Sequence, residues 1–270
     1  MRRLAKGTLE YMDNSIALVT GANKGIGREI ARQLAAAGHT VYVGSRDAGR
    51  GAEAVADIGG GARLLVLDVT DADSIAAAAR EVPTLDILVN NAGITSGAAR
   101  PVTDEDPDAF RRVYETNVFG VVAVTNAFLP ALRRSAHPRI VNISSGTSSI
   151  AASAGQAEGI IAFASGPTGD MGAYRSSKTA LNELTVLYAN ALAGDGFKVN
   201  ALAPGLRRTD LMITTLAPAA GSTDPSGPAR ALPNAGDPAE GAAGAVRLAL
   251  LPDDGPSGGF FSWDGTSVPW

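Results

Sequence analysis

A short apolar run of strand-forming residues, Ser15–Thr20 (SIALVT), leads directly into Gly21-Ala22-Asn23-Lys24-Gly25-Ile26-Gly27 and then into a helical repeat ending near Ala37. No other stretch narrows the possible folds as far. Ile26, Ile30 and Leu34 share one helix face, and Gly38 stops the pattern. Strand, glycine turn and helix, in that order, form the opening unit of a nucleotide-binding α/β sheet. The glycines allow a tight turn and let a pyrophosphate approach the N–H groups at the helix N-terminus. Gly21, Asn23, Lys24, Gly25, Ile26 and Gly27 are therefore the first expected cofactor contacts, with a purely structural turn as the competing reading.

The rest of the chain repeats this alternation. Strands are expected at Thr40–Gly44, Arg63–Leu67, Leu85–Val89, Arg139–Ile143, Phe197–Leu202 and around Gly259–Ser262. Helical patterns cover 71–81, two segments within 104–130, 172–193 and 238–250. No break in composition divides them. The expected fold is α/β: one doubly wound (Rossmann) domain over 15–270, with a mostly parallel seven-stranded sheet and helices on both faces. A hydrophobic content of 45% against 19% charged residues suits such a core.

Residues 1–14 carry Arg2, Arg3 and Lys6 without a following apolar run, so they read as a disordered leader and not a secretory signal. No stretch approaches the ~18 apolar residues of a membrane span, and a cytoplasmic protein is expected. The net charge of −4 argues against nucleic acid or a membrane surface as partner. The absence of cysteine excludes disulfides and thiol catalysis. His39 and His137, the two histidines, have no metal-ligand spacing, so no metal is expected. No G-x-S-x-G elbow supports a hydrolase.

In an open parallel sheet, ligands bind outside the carboxyl ends of the strands, and chemistry-bearing residues collect there. Ser45-Arg46 follows the second strand, where an acidic residue would take the ribose 2′-hydroxyl of NAD and a basic one a 2′-phosphate. Arg46 and Lys24 together favour NADP(H). Asp68-Val69 follows the third strand as a candidate adenine edge, and Asn90-Asn91-Ala92-Gly93 follows the fourth. Small residues there admit a cofactor, and the Asn amides can tie strand ends together. Asn117 sits among apolar neighbours in a helical pattern, which points to a kink or a buried polar task. The fifth strand delivers Ser144-Ser145. Tyr174 and Lys178 are four residues apart on one helix face. A phenol titrates near ~10, and a cation within roughly 4–6 Å lowers an acid by about 1–3 units. Tyr174 would then exchange a proton near neutral pH.

Taken in order, Thr20-Gly-x-x-x-Gly-x-Gly27, Asn90-Asn-Ala-Gly93, Asn117, Ser145 and Tyr174-x-x-x-Lys178 make the chain resemble a short-chain dehydrogenase/reductase from Ser15 to Trp270. The glycine loop is similar to that of NADPH-dependent carbonyl reductases. The resemblance implies a tetrad of Asn117, Ser145, Tyr174 and Lys178. Tyr174 would give a proton to a carbonyl oxygen as NADPH delivers hydride, and Ser145, favoured over Ser144, would hold that oxygen. Lys178 would lower the phenol and bind the nicotinamide ribose, and Asn117 would support a proton relay through its backbone carbonyl and a water. The resemblance further implies Asp68 near the adenine, Asn90 near the adenosine ribose, and Pro204, Gly205 and Thr209 near the nicotinamide, with Ala92 and Gly93 beside the cofactor.

One departure stands out. Ser145 and Tyr174 are separated by 28 residues, more than in most members of the family. Monomeric carbonyl reductases carry an insertion at this place. The insertion, 146–172, contains the apolar piece Gly159–Ala164 and would cover the face on which the family pairs its helices, which favours a monomer over a homo-oligomer. A second long segment, 206–236, lies at the same sheet edge as a substrate loop. The expected activity is reversible NADPH-dependent reduction of a ketone or aldehyde. The rivals are an NAD-linked alcohol dehydrogenase of the same family and a non-catalytic nucleotide-binding regulator.

Overall fold

The first strand of the sheet, β1 (Ile16–Val19), splits the core by alternation: Ala17 and Val19 face one side and Leu18 the other, all fully buried. The computed structural model describes residues 14–97, 99–156, 171–216 and 235–270. Six further strands join β1: β2 (Thr40–Ser45), β3 (Ala62–Val66), β4 (Ile87–Asn90), β5 (Arg139–Ile143), β6 (Lys198–Ala203) and β7 (Phe260–Ser262). Their order is β3-β2-β1-β4-β5-β6-β7, and every neighbouring pair is parallel. The expected seven-stranded doubly wound sheet is present. Its switch point lies between β1 and β4, where the chain changes winding direction.

Helices cover both faces. On one side α1 (Gly25–Ala36) packs Ile30, Ala31 and Leu34 against Val41, Val43, Ile87 and Val89, beside α2 (Ala48–Ile58). On the other, α3 (Ala72–Glu81), α4 (Pro107–Tyr114) and α5 (Gly120–Leu132) follow, with Phe128 and Leu132 fully buried against Leu88 and Ile140. Each such side chain removed from water stabilises the fold by about 1.5–3 kcal/mol. Short α6 (Ile150–Ser153), long α7 (Gly172–Ala191), α8 (Asp210–Leu216) and α9 (Pro238–Ala249) complete the described helices.

Two differences from the sequence expectation have physical causes. The helix α2 is not among the expected elements. Here Gly51 is a close-approach residue: a Cβ would lie 2.4 Å from Leu64 Cδ1 and 3.0 Å from Ser45 Cβ. Asp47 starts the helix by accepting from the Arg50 N–H at 3.0 Å. The two segments expected within 104–130 are α4 and α5, joined by a π-helical turn, Glu115–Phe119, that carries Asn117. The helix α5 also continues past Pro130 to Leu132. The leader up to residue 13, the apolar piece 159–164 and most of the 206–236 segment lie outside the described residues.

Candidate active site

The cleft opens at the carboxyl end of the sheet, where β1, β4, β5 and β6 deliver their following turns. Lys24 to Gly27 form one wall and Asn91 to Gly93 the floor. Ile143, Ser144, Tyr174 and Lys178 form the opposite side, and Pro204 with Thr209 to Leu211 the rim.

The glycine loop is held from below. Ala22 N–H donates to Gly44 O at 2.9 Å, and Gly21 and Gly25 take left-handed backbone with φ of 61° and 58°. Asn91 Nδ2 donates to Thr20 O at 2.8 Å and Gly21 O at 3.2 Å, while Thr20 Oγ1 accepts from the Asn91 and Ala92 N–H groups, both at 3.0 Å. The same amide explains Gly27, whose Cβ would come within 2.3 Å of Asn91 Nδ2. Helix α1 starts after Lys24 with no side-chain cap. Its first-turn N–H groups therefore face the cleft without a protein side chain, as an anion-binding helix end requires. These residues fit the pyrophosphate of a dinucleotide.

The tetrad residues come together around Tyr174, in the first turn of α7. Tyr174, Lys178 and Asn117 are 7%, 4% and 0% exposed. Lys178 Nζ donates to Ile143 O at 2.8 Å and lies 5.9 Å from the centre of the Tyr174 ring. The Ser145 side chain lies beside the Tyr174 phenol and favours its charged form. Asn117 binds both backbone groups of Ile94 at 2.9 Å and donates to Ser177 Oγ at 3.0 Å, while Ser177 Oγ donates to Tyr174 O at 2.7 Å. Asn117 thus braces the turn after β4 against α7. Gly93 lies between them: its Cβ position is 3.3 Å from both Asn117 Oδ1 and Lys178 Nζ.

The titration of this pair differs from the sequence expectation. Burial pushes the Tyr174 phenol above its ordinary value, opposed by the neighbouring Ser145 hydroxyl. Burial acts on Lys178 in the other direction and lowers it to about 8.

The adenosine corner is less uniform than expected. Arg46 is exposed, and its charge reaches Asp68. Burial works to raise the Asp68 carboxyl, yet the Thr70 N–H and O–H and the charge of Arg46 hold it below its ordinary value. Ser45 is 2% exposed and its hydroxyl donates to Asp47 O at 2.7 Å. Val69 is partly buried against Gly120, and Asn23 is partly buried in the loop without lining the cleft. Lys24 does not point to this corner: its Nζ pairs with Asp210 at 3.1 Å, across the mouth of the cleft. Asn90 also departs from expectation. Its amide donates to Thr125 Oγ1 at 3.1 Å and Asn142 Oδ1 at 2.9 Å, in a buried ladder that Asn142 extends to Thr185. Its neighbour Asn91, on the opposite side of the strand, faces the cleft.

At the rim, Thr209 covers Gly25, with its Cγ2 3.6 Å from that glycine's Cβ position. Gly205, φ 75°, lies under Trp263. Sequence reasoning missed the segment after β4 as a link between the two substrate-side segments. Glu105 accepts from the Ala173 N–H at 2.8 Å and from Ser96 Oγ at 2.6 Å, so it caps α7 from a distance. Thr95 and Ala99 bond Thr215 of α8. Only the carboxylate of Glu105 ahead of an uncapped helix start could have signalled this. Among the described residues no helix is long and apolar enough to cross a membrane.

Comparison with known proteins agrees with this geometry. A family model described as short chain dehydrogenase matches residues 15–218. The (+)-neomenthol dehydrogenase of Arabidopsis thaliana is 34% identical, over 91% of this chain and 95% of that protein. The (-)-isopiperitenone reductase of Mentha piperita is 32% identical, over 92% and 96%. Among solved structures, NADPH-bound carbonyl reductase from chicken fatty liver superposes with a TM-score of 0.74 at 29% identity, covering 96% of this chain and 99% of that one.

Proposed function

The chain belongs to the short-chain dehydrogenase family and is an oxidoreductase of carbonyl and alcohol groups; on that footing we propose that it reduces a ketone or aldehyde with NADP(H), using Tyr174 as the general acid. The carrying observation is Tyr174 with Lys178 on the side of the cleft opposite an uncapped helix start, with Ser145 next to the phenol. A bound nicotinamide cofactor supplies the hydride. The protein's own residues handle the proton. A substrate carbonyl oxygen held by Ser145 receives the Tyr174 proton, and the phenolate left behind keeps the Ser145 hydroxyl as donor and the Lys178 ammonium as neighbour. A phenol raised by burial stays protonated at neutral pH, which suits the reducing direction. Asn117 holds the start of α7 so that these groups stay in register.

The choice of NADP(H) rests on Arg46 beside Asp68, with Lys24 leaving Asp210 for the 2′-phosphate. Because both members of that ion pair are more than half exposed, giving it up costs only about 0.2–1 kcal/mol. The same pair favours the second reading, an NAD-linked alcohol dehydrogenase in which Lys24 stays with Asp210. The compounds named for the two plant relatives, neomenthol and isopiperitenone, belong on the substrate panel. The protein is read as a cytoplasmic monomer.

The test is Tyr174→Phe, assayed by NADPH oxidation over a ketone and aldehyde panel. Turnover should fall by about 10²–10⁴-fold while NADPH still binds; a Phe variant with parental turnover would overturn the mechanism. Equal use of NADH and NADPH by the parent would overturn the cofactor choice.

A further inference from the structure

The face of α7 that carries Tyr174 and Lys178 continues, one turn on, to Asn182. Asn182 is 3% exposed and lies within a closed set of buried hydroxyls. Its Oδ1 accepts from Ser144 Oγ at 2.6 Å, and its Nδ2 donates to Ser148 Oγ at 2.8 Å. Ser148 Oγ in turn donates to the backbone oxygen of Ser145 at 2.6 Å, and Ser148 N–H reaches the same oxygen at 3.0 Å. Ser144 Oγ also reaches Lys178 O at 3.3 Å, and Thr179 Oγ1 donates to Ser148 O at 2.9 Å. Ser144 and Ser148 are each 2% exposed.

One amide therefore grips the turn on both sides of Ser145, from the same helix that presents Tyr174. The arrangement matters because Ser145 and Tyr174 arrive on different elements, the end of β5 and the start of α7. Their hydroxyls must converge on one substrate oxygen, and a misplacement of about 1 Å at a reacting centre can cost 10²-fold in rate. The Ser145 side chain makes its own local contact with Thr147, Oγ to Oγ1 at 2.9 Å, which fixes its rotamer but not its distance from α7. The amide adds a side-chain link across elements on both sides of Ser145, beside the bonds of Lys178 to Ile143 O and of Thr179 to Ser148 O. It has one acceptor and one donor group, both used here, so no other side chain of its size fits the pair of serines with the same polarity.

We propose that Asn182 is a positioning residue for the reaction: it sets the separation of Ser145 from Tyr174 through Ser144 and Ser148, without touching substrate or cofactor. The proposal rests on the reductase reading, and its test is run relative to a parent that turns over, so an inactive parent would count against that reading and not against Asn182.

Asn182→Ala and Ser148→Ala are compared with the parent for turnover, for affinity toward the reduced nicotinamide cofactor, and for the primary isotope effect with cofactor deuterated at the transferred position. Asn182→Ala is expected to lower kcat by about 10- to 100-fold. Cofactor affinity should stay within about twofold, because the glycine loop is held separately through Asn91. The isotope effect should rise as the chemical step becomes limiting. Ser148→Ala removes the oxygen that joins Asn182 to Ser145 and should move kcat and the isotope effect in the same direction; it decides the matter if Asn182→Ala does not fold. The double variant should be no slower than the slower single one, since both break one chain of contacts. Parental kcat in Ser148→Ala would overturn the proposal. So would a fall in kcat that is matched by a fall in cofactor affinity with an unchanged isotope effect, which is the signature of general loosening.

Discussion

Asp210→Asn is the perturbation that bears most directly on cofactor choice. In the structure Lys24 spans the cleft mouth to Asp210 at 3.1 Å, with side chains 58% and 66% exposed. A pair so open to water is worth about 0.2–1 kcal/mol. If Lys24 must leave Asp210 to meet a 2′-phosphate, removing the carboxylate returns that amount to NADPH binding, a gain of about 1.4- to 5-fold in affinity. Asparagine keeps the shape of the side chain and loses the charge. Asp210 also lines the cleft that either cofactor would enter with its negative charges, so NADH should tighten slightly too. The decisive quantity is the ratio of the two dissociation constants, read by titrating the cofactor's own fluorescence. That ratio should move toward NADPH by about 1.4- to 5-fold at low salt. It should return to the parental ratio near 1 M salt, where the screening length is about 3 Å. In a Lys24→Met background Asp210→Asn should leave the ratio unchanged. A ratio that does not move at low salt, or that moves equally without Lys24, refutes the assignment of Lys24 to the 2′-phosphate.

Other outcomes follow from the same geometry. Gly27→Ala places a methyl 2.3 Å from Asn91 Nδ2 and 2.9 Å from the Gly21 carbonyl; overpacking of this kind costs about 1–3 kcal/mol, and cofactor affinity measured by titration should fall at least tenfold, with parental affinity counting against the close-approach account. Asn91→Ala removes two donors to the carbonyls of Thr20 and Gly21, so thermal unfolding should show a loss of about 1–3 kcal/mol, and an unshifted transition would contradict the clamp. The rate of reduction per cofactor encounter should fall as pH rises through about 8, because the buried Lys178 ammonium loses its proton there while the raised phenol keeps its own. A kcat/KM for cofactor that stays level to pH 9.5 would reject that order of titration.

Where sequence reasoning succeeded, one residue type had few alternatives. A polar Asn117 in an apolar helical run demanded either a kink or a buried task. The structure supplies both, a π-helical turn and three hydrogen bonds from a fully buried amide. Tyr174 and Lys178 were readable because helical spacing alone puts them on one face. Where it fell short, the missing information was three-dimensional. Asn90 and Asn91 are adjacent and chemically identical, and only the alternation of the strand decides which amide faces the cleft. Lys24 and Asp210 are 186 positions apart, so nothing local to the glycine loop announced its partner. Helix α2 went unexpected, and the fit that admits its Gly51, against Leu64 on a neighbouring strand, lies in packing.

The reversed sign at Tyr174 shows which term the sequence lacks. Spacing reveals a cation next to a phenol and predicts that the phenol falls. It does not reveal that both groups are taken out of water by the turn after β4, the end of β5 and α7. Desolvation disfavours the charged form of each, so it raises an acid and lowers a base. Here it drives the two apart, the phenol above its ordinary value and the ammonium down to about 8. The lysine is then the first of the pair to give up a proton as pH rises. The tyrosine stays protonated beside it, next to Ser145, whose backbone oxygen the Asn182–Ser148 contacts hold. In this protein burial, more than the neighbouring charge, therefore sets the order in which the two groups titrate.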